Sequence, residues 1–137
     1  MKIMVVDDSL TMRRIVILNL KKAGYTDIIE AENGRVALDM LCSSLEGMPD
    51  VILLDWNMPE MSGLEFLKTV KADAKLKSIP VIMVTTESEQ KCVVEAVSEG
   101  AVGYLVKPLT AESFQKNVVE KLTGYSKKIL KTKKRLL

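Results

Sequence analysis

The sequence predicts an α/β fold, an open doubly wound sheet of five parallel strands with helices on both faces. Three observations carry that expectation. Five short apolar runs alternate with five amphipathic stretches along the 137 residues. The inner runs are nearly all aliphatic, as strands buried on both faces require. Five β-α units are also too few to close a barrel, so the sheet stays open.

The first run, Lys2-Ile3-Met4-Val5-Val6, closes on Asp7-Asp8. Ser9 is placed to cap the helix that follows, with Met12, Ile15, Val16, Leu20 and Ala23 on its apolar face and Gly24 as its stop. Asp27-Ile28-Ile29-Glu30-Ala31 is a more polar strand, suited to a sheet edge. Asn33 caps a second helix whose Gly34, Ala37, Leu38 and Leu41 recur at i, i+3, i+4 and i+7. Gly47 and Pro49 mark the loop before Val51-Ile52-Leu53-Leu54-Asp55, the most aliphatic run, which ends abruptly in a carboxylate.

Pro59 and Gly63 forbid that strand from continuing, and Ser62-Gly63-Leu64-Glu65 reads as a capping box. Gly63, Phe66, Leu67 and Val70 keep the helical spacing. Ile79-Pro80-Val81-Ile82-Met83-Val84 is the fourth strand, ending at Thr85-Thr86. Thr86 with Glu89 offers a second capping box for a helix that turns Val93, Ala96 and Val97 inward and stops at Gly100. Ala101-Val102-Gly103-Tyr104-Leu105-Val106 is the fifth strand, ending at Lys107-Pro108. Thr110 caps a last helix carrying Phe114, Val118 and Leu122.

One domain is expected over residues 1–123, followed by a basic extension over 124–137. Six cations between Lys127 and Arg135 stand there without an acid. Setting those six aside leaves fourteen basic residues against eighteen acids, so residues 1–126 carry about −4. No apolar run reaches the length of a membrane span. Cys42 and Cys92 form no C-x-x-C pair and read as small buried hydrophobes in a reducing cytoplasm. Histidine is absent, which excludes Ser-His and Cys-His nucleophilic machinery, His-containing zinc sites and a phosphohistidine on this chain.

Four strands end in reactive groups: Asp7-Asp8, Asp55, Thr85 and Lys107. A parallel sheet delivers all four to its carboxyl edge, where open α/β sheets bind ligands. Each alone reads as a cap or a turn. Together they set carboxylates beside a lysine, which separate caps have no reason to do. Unit charges about 4 Å apart at an effective dielectric near 20 repel by roughly 4 kcal/mol. Such a cluster takes up a proton or a cation. Hard oxygen ligands in an open site suit Mg²⁺, and no loop of alternating oxygen ligands suggests calcium. Lys107 and Thr85 supply a point charge and a hydroxyl for a transferred phosphoryl group, and Asp55 is left as its nucleophile.

Val5-Val6-Asp7-Asp8-Ser9, Thr11-Met12-Arg13-Arg14-Ile15, Asp55-Trp56-Asn57-Met58-Pro59, Met83-Val84-Thr85 and Gly103-Tyr104-Leu105-Val106-Lys107-Pro108 resemble the receiver domain of bacterial two-component response regulators. The second and third stretches are similar to its chemotaxis subgroup. The resemblance covers residues 2 to about 122. It implies the flavodoxin-like strand order 2-1-3-4-5. It also implies that Asp55 is phosphorylated from a histidine on a partner kinase. Asp8, Asp55 and the Asn57 backbone carbonyl would bind Mg²⁺, with Asp7 acting through water. Thr85 and Lys107 would sense the phosphoryl group, and Tyr104 would swing inward as Thr85 moves. Lys107-Pro108 would be cis, and Asn57 and Glu87 would set the hydrolysis rate.

Thr86 stands where the chemotaxis subgroup has alanine, Leu109 where phenylalanine is common, and the basic extension has no counterpart there. What the resemblance implies is a cytoplasmic, monomeric switch rather than an enzyme, catalysing only its own phosphorylation and dephosphorylation. Its partners would be a chemotaxis-type histidine kinase, a flagellar motor switch protein and a phosphatase. No membrane or nucleic-acid partner is expected. The alternatives are a transcriptional regulator lacking its DNA-binding domain, and a phosphate sink that shares every site residue. About fifteen residues of tail cannot hold a helix-turn-helix.

Overall fold

The computed structural model describes residues 1–43 and 47–136. Its elements are β1 (Ile3–Val6), α1 (Leu10–Lys22), β2 (Ile28–Ala31), α2 (Gly34–Ser43), β3 (Val51–Leu54), α3 (Gly63–Ala72), β4 (Val81–Thr85), α4 (Gln90–Ser98), β5 (Gly103–Val106) and α5 (Ala111–Phe114). A π-helical turn, Gln115–Val119, joins α5 to α6 (Glu120–Leu136) without a break. The strands are all parallel in the order β2-β1-β3-β4-β5, as expected.

Strand alternation divides the core into two layers. Met4, Val6, Ile52, Leu54, Val81 and Met83 point to the face covered by Ala37 and Leu41 of α2, Phe66, Leu67 and Val70 of α3, and Ala96 of α4. Ile3, Val5, Val51, Leu53, Ile82, Val84 and Leu105 point the other way, against Val16 and Leu20 of α1 and the helical run after Thr110. That run places Phe114, Val118, Val119 and Leu122 in the core. The wide π turn lets the adjacent Val118 and Val119 both face inward. The 123/124 division falls within α6, where Leu122 is fully buried and Tyr125 half-buried against the same layer.

The predicted caps mostly form. Ser9 Oγ accepts from Met12 N at 3.2 Å, Asn33 Oδ1 from Val36 N at 2.9 Å, and Ser62 Oγ from Glu65 N at 3.2 Å. Thr110 and Ser113 form a reciprocal box. At Thr86 the expectation fails. α4 starts only at Gln90, behind Glu89, whose side chain makes no cap bond, because Glu87 is held back at the sheet edge by other partners. Starting there, α4 turns Cys92 and Ala96 inward and leaves Val97 54% exposed. Cys42 is likewise exposed rather than buried, since α2 buries Ala37 and Leu41 instead. Ile15 is more exposed than its place in α1 suggested, because Val16 and Leu20 take the inward positions. β4 begins at Val81, although Ile79 before it is buried.

Candidate functional site

The sheet's hydrogen-bond ladder runs one residue past the strand ends, and that fixes the site. Asp7 N donates to Ala31 O at 3.2 Å, Asp55 N to Val6 O at 3.0 Å, and Lys107 N to Thr85 O at 2.8 Å. Each functional backbone is therefore pinned to the neighbouring strand. Asp7, Asp55 and Thr85 are buried, whereas Asp8 is exposed. Carboxylate oxygens of Asp7, Asp8 and Asp55 all lie within 4.8 Å of one another.

Lys107 faces this trio. Its Nζ lies 2.7 Å from Asp7 Oδ2 and 3.6 Å from Asp55 Oδ2, with all three side chains nearly buried. Asp7 Oδ1 accepts from Ser9 N at 2.9 Å, and Asp55 Oδ1 from Trp56 N at 2.8 Å. Burial holds the Asp55 carboxyl above its usual range, and the nearby Asp7 charge adds to the effect. The Thr85 hydroxyl, Lys107 and the Trp56 N–H pull the other way.

A second chain of contacts leads away from the carboxylates through Glu87. Its N–H donates to Thr85 Oγ1 at 3.3 Å, its carboxylate accepts from Asn57 Nδ2 at 2.9 Å, and its carbonyl accepts from the Tyr104 hydroxyl at 2.7 Å. Every residue singled out from the sequence thus meets at one edge. The Lys107–Pro108 peptide is cis. An open cleft of about 680 Å³ runs from Asp7, Asp8 and Asp55 over Met12 and Ile15 to Pro108 and Leu109.

Two participants were not anticipated. Arg13 is left off the apolar face of α1 by the sequence pattern and is given no part in the site. In the fold its Nη1 donates to Asp7 O at 2.7 Å, and its Nε pairs with Glu30 of β2 at 3.1 Å. A guanidinium in the first turn of α1, five residues after Asp8, was the available signal. Gly63 reads as loop punctuation, yet it packs on the backbone of the proposed nucleophile. A Cβ there would lie 2.8 Å from Trp56 Cα and closer still to Asp55 O, while Gly63 N donates to Trp56 O at 2.7 Å. Sequence spacing carries no sign of such an approach.

The donor set fits a small hard cation. Three carboxylates converge, one on the open side, where a metal can keep waters, and one ammonium offsets only part of their charge.

Residues 3–119 match the response regulator receiver domain. Over 118 residues the chain is 46% identical to the chemotaxis protein CheY of Pseudomonas aeruginosa, covering 86% of this chain and 93% of that protein. It is also similar to the solved chemotaxis protein CheY4 of Vibrio cholerae, with 39% identity and a TM-score of 0.72 over 84% of this chain and 92% of that one. The Mn²⁺-bound form of response regulator Rcp1 aligns at 27% identity and a TM-score of 0.73, covering 85% and 88%. With five parallel strands in that order and this edge, the chain belongs to the response regulator receiver family.

Proposed function

We propose that this receiver is a phosphorylation-driven chemotaxis switch, with Asp55 as the phosphoacceptor. The observation that carries the reading is Asp55 itself, a buried carboxylate pinned to β1, with Asp7, Asp8 and Lys107 grouped around it. A carboxylate oxygen of Asp55 attacks the phosphorus of a phosphohistidine on a partner kinase. The P–N bond breaks, the imidazole leaves, and an acyl phosphate forms. Asp8, Asp55 and the Asn57 carbonyl would hold Mg²⁺, with Asp7 reached through water. When bound, the cation neutralises charge on the transferring oxygens. The similarity to a Mn²⁺-bound response regulator supports that assignment.

Lys107 then exchanges carboxylate partners for phosphoryl oxygens, and the Thr85 hydroxyl turns toward them. Its bond to Glu87 N is long, at 3.3 Å, and easily given up. Release of Glu87 loosens the carbonyl that holds Tyr104 and frees the ring to move inward. Asn57 and Glu87, bonded to each other across the phosphate position, set how water reaches it. The chain catalyses nothing beyond its own phosphorylation and hydrolysis.

The output is the α4-β5-α5 face. Val94 and Val97 of α4, both 54% exposed, and Val102 and Val106 at β5, 41% and 38% exposed, offer apolar side chains to a protein partner. Similarity to CheY proteins supports the flagellar motor switch as that partner, in the cytoplasm. Treatment with a small-molecule phosphodonor and Mg²⁺, followed by mass mapping, should place one phosphoryl group on Asp55. Full modification of Asp55→Asn would refute the assignment. A pull-down with phosphorylated protein should retain a motor switch protein, and a pure phosphate sink would retain none.

A further inference from the structure

Resting on the reading of Asp8 and Asp55 as Mg²⁺ ligands, we propose that Arg13 is a positioning residue for that metal site. It acts through the Asp7 main chain and aims Asp8 at the cation. Arg13 stands in the first turn of α1, where Ser9 O accepts its N–H at 2.9 Å. From there its guanidinium reaches two other elements. Nη1 donates to Asp7 O at 2.7 Å, just past the end of β1, and Nε donates to Glu30 Oε1 of β2 at 3.1 Å. The side chain is 13% exposed, a burial that a guanidinium tolerates only when it is paired.

Those bonds complete the confinement of Asp7. Its N–H donates to Ala31 O, its Oδ1 accepts from Ser9 N and its Oδ2 from Lys107 Nζ. The carbonyl held by Arg13 is the remaining polar atom of the residue. That oxygen belongs to the planar peptide unit that also carries the Asp8 N–H and Cα. Holding it sets the rotation of the plane, and with it the direction in which Asp8 leaves the strand. Asp8 is the exposed member of the carboxylate trio, so its aim depends on its main chain more than the buried Asp7 and Asp55 depend on theirs.

Charge alone predicts the opposite effect. A guanidinium bonded to Asp7 O offsets some of the negative charge that draws a dication, so its removal should tighten Mg²⁺ binding. Glu30 pairs with the same guanidinium and blunts that opposition, which leaves the geometric hold on Asp7 as the larger effect. The two effects differ in sign.

In titration calorimetry the full chain should bind Mg²⁺ about tenfold more weakly as Arg13→Ala, the low end for loss of an outer-shell partner. Arg13→Lys keeps the charge, but an ammonium cannot span both oxygens as the fork does, so binding should weaken in the same direction. With a small-molecule phosphodonor, the half-saturating Mg²⁺ concentration for Asp55 phosphorylation should rise by the same factor, and excess Mg²⁺ should restore the parent rate. Cooperative denaturant unfolding in EDTA shows that the variants fold, and Arg13→Lys carries the test if Arg13→Ala does not. Tighter Mg²⁺ binding in Arg13→Ala would reduce Arg13 to a competing charge and overturn the proposal. Unchanged affinity in both variants, or a lowered rate that excess Mg²⁺ does not restore, would make Arg13 a structural tie and overturn it equally. Failure of the parent itself to bind Mg²⁺ would refute the metal reading, and the proposal with it.

Discussion

The sheet has a lysine at each end, and the two are used differently. At the amino end, Lys71 of α3 donates to Ile79 O at 2.7 Å and Lys77 O at 3.1 Å, and its alkyl chain would meet any Cβ on Gly100 at 3.2 Å. Nearby, Asp50 Oδ2 accepts from Lys2 N at 2.7 Å. Each charge there is satisfied by main-chain groups, and the result is a fixed joint between α3 and β4. At the carboxyl end, Lys107 has two carboxylates for partners, Asp7 and Asp55, and Asp8 brings a third negative charge to the same cluster. Main-chain partners leave no charge to exchange, whereas mismatched side-chain charges leave an appetite for a cation and a phosphoryl group.

The sharpest break in that contrast should come from Lys107→Ala. Partner binding should lose its response to phosphorylation, a change of tenfold or more, while titration calorimetry finds Mg²⁺ affinity equal or higher. A large loss of Mg²⁺ affinity would place Lys107 on the wrong side of the site. Gly63→Ala comes next. Its Cβ would strike the Asp55 backbone, and denaturant unfolding should register a loss of about 2 kcal/mol or more. Lys71→Met should cost about 1 kcal/mol in the same assay and leave phosphorylation unchanged, because it removes hydrogen bonds and no site charge.

Two smaller effects follow from protonation. The Asp55 carboxyl is held above its usual range, chiefly by burial, so its stabilising contribution is complete at low pH and lost as pH rises and it ionises. Without divalent metal, Asp55→Asn should therefore melt higher than the parent at pH 7, with the gap closing toward pH about 4. Tyr104 is pushed up to about 12, by burial first and then by neighbouring Cys92, Glu87 and Asp55. Its contribution is complete below the ordinary phenol value near 10 and disappears between there and about 12. Tyr104→Phe should flatten stability across that window, and ultraviolet titration should show one late-ionising tyrosine lost.

The same contrast explains what the sequence could reveal. Aliphatic runs that stop at a charged residue declare both a strand and its functional end, so Asp7, Asp55 and Lys107 were legible from spacing alone. α4 was less so, because its start depends on Glu87, whose three bonds to Thr85, Asn57 and Tyr104 exist only after the sheet has formed. A local capping pattern at Thr86 cannot compete with them. Arg13 and Gly63 were hidden for the same reason. Their partners, Glu30, the Asp7 carbonyl and the Asp55 backbone, are remote in sequence or lie in the main chain.

The π turn at Gln115–Val119 acts as a phase setting. One surplus residue lets two neighbouring valines sit in the core and resets the rotation of everything after it. Removing a single residue from that turn would restore an ordinary α-helix and swing α6 by about 100° around its own axis. The exposed Lys127, Lys128 and Lys131 would then face another side of the molecule, although no charge had been altered. The direction in which these three lysines face is therefore encoded by a count of residues in the core, at a distance from the lysines themselves.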